Sequence, residues 1–419
     1  MKAIHACLIG FAVLAVTACK PAATLVPAQT AANGDYQAKV WALPSAAGSS
    51  SPDLSIAPDG RLLLSWINQQ EGRRNALQFG SYTDKGGWQS QPRTVAVGRS
   101  LLANWADTPH LIGTADGALW MQWLQINASA PGVYDTVLAR SRDGGLTWPQ
   151  LTRVNNDELE AEHGFAALWA EGQDRIGIAW LDGRAQAAPP EAGHEGAAAM
   201  QLRANGFDLD LQRSTDSVLD TMTCDCCQTD VAMTTKGPLL VYRDRTEAEI
   251  RDIAVVRRTA GTWGAPVMVH ADGWKIAGCP VNGPAIAATG NDAVVGWYSE
   301  AGDTPALRLA RTTDAGNTFA APVVVDSGKQ VLGRVDVAMD AKQAWVAWLR
   351  ELPAGQTLML ARYTPDLSRE LQRIEVAKLE GRGHATGSPK LVVDKTAAWL
   401  VWTDVIGGVA HVRGARVVR

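Results

Sequence analysis

Leu62-Leu63-Leu64-Ser65-Trp66 is a short, largely apolar run closed by an aromatic, and the pattern returns along the chain. The closing aromatic recurs at Trp123, Trp180, Tyr242, Trp297, Trp348 and Trp402, at intervals of 57, 57, 62, 55, 51 and 54 residues. A second apolar run and a turn precede it, as in Leu54-Ser55-Ile56-Ala57-Pro58-Asp59-Gly60 and Ile286-Ala287-Ala288-Thr289-Gly290-Asn291-Asp292. A third run follows, visible as Leu138-Ala139-Arg140, Leu309-Ala310-Arg311 and Leu360-Ala361-Arg362, and then a fourth such as Pro322-Val323-Val324-Val325-Asp326. Short apolar runs bounded by Gly, Pro, Asn and Asp read as strands, and nothing between them carries a helical period. Four strands per repeat is the pattern of a β-propeller blade. A lone four-stranded sheet covers neither of its faces, so blades must stack around an axis and bury one another. The repeats count to seven. The last, Pro389 to Val418, has room for three strands, whereas Ala38-Lys39-Val40-Trp41-Ala42-Leu43 is an unassigned strand at the front. That strand is expected to complete the last blade and remove a free sheet edge.

The composition agrees with one large all-β domain over residues 36–419. At 46% hydrophobic and 20% charged, the 419 residues can bury a substantial core, which excludes a disordered chain and a disulfide-held miniprotein. The net charge is −4 and no basic run stands out, so nucleic acid is not an expected partner. Ahead of the domain, Lys2 is followed by the apolar Leu8 to Val16, too short to span a bilayer, and by Val16-Thr17-Ala18-Cys19. This resembles the lipobox of bacterial lipoproteins. The resemblance implies a signal peptide over residues 1–18, a lipidated Cys19 and, with Lys20 behind it, the outer membrane of the cell envelope; an ordinary cleaved signal peptide is the alternative. Residues 19–35, rich in Ala, Thr, Pro and Gln, read as a flexible tether.

Ser141-Arg142-Asp143-Gly144-Gly145-Leu146-Thr147-Trp148 resembles the Asp box of bacterial neuraminidase repeats. Thr312-Thr313-Asp314-Ala315-Gly316-Asn317-Thr318-Phe319 is a second, slightly degenerate copy, and Gly261-Thr262-Trp263 a remnant. The resemblance to sialidase-like propellers implies a turn between the third and fourth strands of a blade and marks fold rather than activity. It also implies six blades where the repeats give seven, so six is the alternative count. Active members hold a carboxylate with three arginines, the first in Arg-Ile-Pro, and use a Tyr nucleophile paired with Glu plus an acid Asp. No Arg-Ile-Pro occurs here, and of the six tyrosines Tyr242 and Tyr298 fall at or beside the repeat position, where blade packing explains them.

In a propeller the loops from strand two to three, and from strand four into the next blade, share one face around the axis. There the chain places Asp182 and Arg184, the charged run Tyr242 to Asp252, Glu162-His163, Cys224-Asp225-Cys226-Cys227-Gln228, Gly278-Cys279-Pro280-Val281-Asn282-Gly283 and Gly383-His384. A shift of 55 residues sets Cys224 opposite Cys279, so four sulfurs are expected on one rim. They read as disulfides, Cys224 to Cys279 or within Cys224-x-x-Cys227, or as a copper or zinc site made by Cys224, Cys226, Cys227 and Cys279; thiol exchange is a third reading. Arg184, Arg243, Arg245 and Arg251 offer planar forks to an anionic ligand, and Asp182, Asp244 and Glu249 are the carboxylates a glycosidase would need. A self-satisfied network between blades accounts for the same charges. The expectation is a monomeric, lipid-anchored protein that binds a glycan or other anionic ligand on this face. A thiolate metal protein and an active exo-sialidase are the alternatives.

Overall fold

The computed structural model describes residues 35–419 apart from 71, 73, 128–131, 188–198 and 354. The expected signal peptide, Cys19 and all of the expected tether except Asp35 therefore lie outside the described residues. From Tyr36 the chain forms one compact unit of seven antiparallel sheets in succession, a seven-bladed propeller with almost no helix.

Each sheet runs from an inner strand at the axis outwards. Blade one holds Ser49–Ile56, Leu62–Gln70, Arg74–Thr83 and an outer edge of Gly87–Trp88 and Arg93–Gly98, and blade two His110–Gly113, Leu119–Ile126, Tyr134–Ser141 and Gln150–Arg153. Blade three is His163–Glu171, Arg175–Asp182, Met200–Phe207 and Ser217–Thr223; blade four is Asp230–Thr234, Gly237–Arg243, Ile253–Thr259 and an outer edge of Thr262–Trp263 and Val267–His270. Blades five and six are Ala285–Thr289, Asp292–Ser299, Ala306–Thr312, Val323–Ser327 and Val331–Met339, Ala344–Leu352, Gly355–Tyr363, Glu370–Leu379. Lys390–Val393, Ala398–Ile406 and Val409–Val418 make three strands of blade seven. Its fourth is Gln37–Val40, paired antiparallel from Gln37 opposite Val418 to Val40 opposite Ala415. First and last strands thus share a sheet, and Val409–Val418 is not left as its edge.

The seven repeat aromatics all lie on second strands and all are buried, because each blade's second strand is covered by a neighbour on both faces. Carboxylates tie blades together at the axis. Asp230 Oδ2 accepts from the Ile286 N–H at 2.8 Å and Asp336 Oδ2 from the Leu391 N–H at 2.6 Å, each an inner-strand bond into the following blade. The inner strands of all seven blades line an axial channel of about 560 Å³.

The Ser141 and Thr312 segments fold as one turn, between the third and fourth strands of blades two and five. Asp143 Oδ1 accepts from the N–H groups of Leu146 and Thr147 at 2.9 and 3.0 Å, while Asp314 Oδ1 accepts from Asn317 and Thr318 at the same distances. Each turn docks on the preceding blade through a glycine at positive φ: a Cβ on Gly145 would lie 2.1 Å from Phe79, and one on Gly316 2.6 Å from Leu239. Only a residue without a Cβ permits that approach. The Thr262–Trp263 strand occupies the corresponding connection in blade four.

Candidate functional site

Three inner strands bulge at the loop-face end, between Ser50 and Asp53, Gly164 and Ala167, and Gly333 and Asp336. Each bulge holds one non-glycine residue in the left-handed region, Ser51, Phe165 and Arg334. A bulge re-aims the side chain it carries, and the third turns Arg334 into the mouth of the channel. There its guanidinium donates to Thr386 Oγ1 at 2.8 Å and to the carbonyls of Gly387 and Gly383 at 2.9 and 2.8 Å. The same guanidinium lies 5.0 Å from the Trp105 ring, and Trp105 stacks on His384 with centroids 4.3 Å apart. A residue of the blade one-to-two connection is thus joined to the six-to-seven connection.

Beside this stack lies a cleft of about 390 Å³, lined among others by Trp105, Asn282, Tyr298, Glu300, Lys329 and His384. Its walls are cross-braced by amides. Asn282 Oδ1 accepts from the Arg334 N–H at 2.7 Å and its Nδ2 donates to the Leu332 carbonyl at 3.1 Å. Gln228 donates to the Ala106 carbonyl and accepts from the Gly283 N–H, both at 2.8 Å, so it pins three loops together. Tyr298 packs edge-on against Trp274 and turns its hydroxyl towards Glu300, 3.5 Å away. Tyr298 is buried, whereas Trp105 and Asn282 are half-buried and Glu300, Lys329 and His384 are exposed.

A second polar group sits at the same mouth. The Tyr134 hydroxyl donates to Glu162. A Cβ on Gly164 would fall 2.3 Å from Asp107 Oδ2 and 3.3 Å from the Tyr134 hydroxyl, so the bare glycine lets the carboxylate and the ring share its surface. Burial and the charges of Asp107 and Glu162 push the Tyr134 hydroxyl well above its ordinary range. Burial, with Glu162 nearby, pushes Asp107 up to about 7 despite the Phe165 N–H it accepts. Asp107 is a carboxyl poised to keep its proton near neutrality.

The charged run of blade four closes largely on itself. Arg243 is 2% exposed and donates to the carbonyls of Arg251 at 2.7 Å, Asn282 at 2.8 Å and Tyr298 at 2.8 Å. Glu249 is clamped between Arg245 at 2.6 Å and Arg251 at 2.9 Å, and those two hydrogen bonds hold its carboxyl below the usual range. Arg245 also reaches Asp225 at 3.3 Å. Asp244 is pushed up to about 7 by burial and by the neighbouring Asp220, which accepts the Tyr242 hydroxyl at 2.5 Å. Tyr242 is therefore a packing residue.

Asp182 and Arg184 belong to another cluster, on blade three. Asp182 is fully buried, with Oδ1 on Arg184 Nε at 2.7 Å and Oδ2 on Arg184 Nη2 at 2.8 Å and Trp180 Nε1 at 2.7 Å. His163 lies between Asp157, 3.2 Å from Nε2, and Asp135, 3.7 Å from Nδ1. His163, Asp157 and Asp182 bring ligand atoms within 4.8 Å of one another, but Arg184 already spans the two carboxylates at 3.0 and 2.7 Å.

The sulfurs gather as the repeat shift implies. Cys224, Cys226 and Cys227 present sulfurs within 4.8 Å of one another, a grouping that can hold a metal ion. The partner of Cys279 is Cys226 rather than Cys224, with Cα atoms 6.0 Å apart. The 55-residue repeat shift sets Cys224 opposite Cys279, but the Cys224 N–H is tied to the Arg243 carbonyl at 3.1 Å and its side chain is buried; Cys226, in the turn that follows, reaches the next loop. Cys224 and Cys227 are left as free, buried thiols with sulfurs 2.9 Å apart. The Cys227 hydrogen bond, with Arg243 and Arg251 beyond it, pulls the Cys224 thiol below its ordinary range, whereas burial pushes the Cys227 thiol up.

Sequence reasoning missed Trp105, Asp107, Tyr134 and Arg334. The first two lie in a loop with no motif, Tyr134 opens a third strand that the repeat aromatics do not index, and Arg334 owes its position to the bulge. The signal that existed was Asn104-Trp105-Ala106-Asp107, a polar and aromatic insertion in a connection expected on the loop face.

No protein-family model matches the chain, and no curated protein sequence matches it. Among solved structures, a protein of unknown function from Dyadobacter fermentans is similar over 92% of this chain and 99% of its own, at 13% identity and a TM-score of 0.54. A mutant α-L-arabinofuranosidase from Fusarium graminearum matches 75% of this chain and 92% of its own at 13% identity and a TM-score of 0.48. A mutant of the NanB sialidase from Streptococcus pneumoniae matches 88% and 68% at 10% identity and a TM-score of 0.44. The likeness to the Dyadobacter fermentans structure is one of fold.

Proposed function

We propose that the protein binds a glycan, or a sugar carrying an anionic group, in the cleft beside the Trp105–His384 stack. The observation that carries this is the lining itself: the Trp105–His384 stack with Tyr298, Asn282, Glu300 and Lys329 around a space of about 390 Å³. An aromatic face takes the apolar side of a sugar ring, and amide, carboxylate and ammonium groups take its hydroxyls or an acidic substituent. The protein acts in this reading as an exported lipoprotein, anchored through Cys19 in the outer membrane.

The test is titration of the protein with neutral hexoses, uronic acids and sialic acid, followed by tryptophan fluorescence and calorimetry. Binding by wild type that weakens at least tenfold in Trp105→Ala supports the reading. Failure of every sugar to bind, or equal binding by the variant, overturns it.

Hydrolysis is a second reading, favoured by the Tyr134–Glu162 pair with Asp107 pushed up to about 7. A buried carboxyl that keeps its proton can serve as a general acid. Turnover of a fluorogenic sialoside or glycoside that is abolished by Tyr134→Phe supports it; turnover that survives the substitution refutes it.

A further inference from the structure

We propose that Cys224 and Cys227 form a thiol–disulfide redox couple, distinct from the Cys226–Cys279 bond, whose state is transmitted to the cleft through Arg243. The coupling rests on the glycan-binding reading above; the redox chemistry does not.

The two sulfurs approach within 2.9 Å across a four-residue turn. A sulfur–sulfur bond of about 2.05 Å asks them to close by less than ~1 Å. Two thiolates on one tetrahedral zinc, with bonds of about 2.3 Å, stand roughly 3.8 Å apart, so a metal would have to drive them the other way. It would also need further ligands, and the nearest sulfur, that of Cys226, is already bonded to Cys279.

The cation beside the pair makes the bond reversible. Arg251 Nη1 lies 3.5 Å from Cys224 Sγ, and Glu249 steadies the guanidinium from its other edge at 2.9 Å. A guanidinium attracts a thiolate and gains nothing comparable from a disulfide, so it favours the reduced form and makes the disulfide the more easily reduced. In the oxidising direction, the Cys224 thiolate attacks one sulfur of a low-molecular-weight disulfide. A mixed disulfide forms and one external thiolate leaves. Cys227 then gives up its proton to solvent, attacks Cys224 Sγ and expels the second external thiolate. Two protein thiols are oxidised and one external disulfide is reduced to two thiols. Burial of both sulfurs, 0% and 2% exposed, restricts the exchange to small partners.

The link to the cleft is short. The Cys224 N–H is bonded to the Arg243 carbonyl at 3.1 Å, and the Arg243 guanidinium holds the carbonyls of Arg251, Asn282 and Tyr298. Asn282 and Tyr298 line the cleft. Closing the disulfide withdraws the thiolate from Arg251 and moves the backbone on which Arg243 is fastened.

The experiment equilibrates the protein in glutathione buffers of graded thiol-to-disulfide ratio, quenches with acid, alkylates the free thiols and maps the peptides by mass. The Cys224–Cys227 bond is expected to open at a lower glutathione thiol level than Cys226–Cys279, and Arg251→Gln to raise the thiol level needed to open it about tenfold. Simultaneous opening of both bonds, or Cys224 and Cys227 remaining thiols at every ratio, overturns the couple. So does one copper or zinc per purified chain that is lost in Cys224→Ser. Sugar affinity measured in both redox states should differ in wild type and stop responding in Cys224→Ser/Cys227→Ser. If the couple titrates and a sugar binds equally in both states, the coupling fails. If the couple titrates and no sugar binds at all, the cleft reading fails while the redox site stands.

Discussion

The blade-three cluster around Asp182 and the mouth around Trp105 lie on the same face and draw on the same residue types, yet they are built for opposite ends. In the first, Arg184 spends its guanidinium on Asp182 and Asp157, and His163 and Asp182 are wholly buried. In the second, the polar groups brace the walls with their backbone contacts and leave Tyr298, Glu300, Lys329 and an aromatic stack around an open space. Residue type alone does not mark a site; what separates the two regions is whether each charge has already found its partner.

The sharpest way to break this contrast is Asp182→Ala. It leaves Arg184 and His163 facing one another without their shared carboxylate, and removing one member of a buried ion pair costs about 3–5 kcal/mol. The expected outcome is a large fall in the urea midpoint; a variant with wild-type stability would mean that Asp182 is free for another task. Next is Gly164→Ala, whose new Cβ would sit 2.3 Å from Asp107 Oδ2 and 2.9 Å from the Tyr134 ring. Overpacking of this kind costs about 1–3 kcal/mol, and the displaced Asp107 should titrate lower once it is pushed towards water, which carboxyl NMR would detect. A crystal structure of the variant with Asp107 and Tyr134 unmoved would sink that account. Trp105→Ala should cost less stability, about 1 kcal/mol for the lost stacking and cation–π contacts. Its effect belongs to sugar binding, and equal losses of stability and affinity in Asp182→Ala and Trp105→Ala would erase the distinction between the two regions.

Much of the ring was legible because a propeller repeats its own requirements. Trp66 and its six counterparts must fill the same slot between blades, and a last repeat with three strands leaves one vacancy that residues near Ala38 fill. The loop face followed from topology. Inside it, the sequence could not say which charges were already satisfied, since Asp182 next to Arg184 reads the same whether the pair is closed or open. Nor could register choose between Cys224 and Cys226, because two residues along a turn reverse the direction of a side chain that a strand alignment treats as fixed. Arg334 depended on a bulge with a left-handed residue, a backbone feature that no glycine at that position announced.

The smallest expected effect probes the closed cluster through pH. His163 Nδ1 lies 3.3 Å from the Tyr134 carbonyl and Nε2 3.2 Å from Asp157, with Asp182 at 3.8 Å. A neutral imidazole donates from one nitrogen only, so these surroundings suit the imidazolium. Burial opposes the charge, but the Asp157 carboxylate, 3.2 Å from Nε2, and the charges of Asp182 and Asp135 outweigh it and raise the folded-state value above the ordinary 6.5. Arg184, 3.0 Å from Asp157, and Arg153, 3.9 Å from Asp135, compete for the same carboxylates and keep the effect modest. Because the folded value is the higher, the stabilisation is complete below the unfolded value and drains away as pH rises through the folded one. Wild type should therefore lose stability from about pH 6.5 upward. His163→Gln, which does not titrate, should be less stable at pH 6 and flatter above it; parallel curves for the two proteins would show that the imidazole binds its proton no more tightly in the fold than in the unfolded chain.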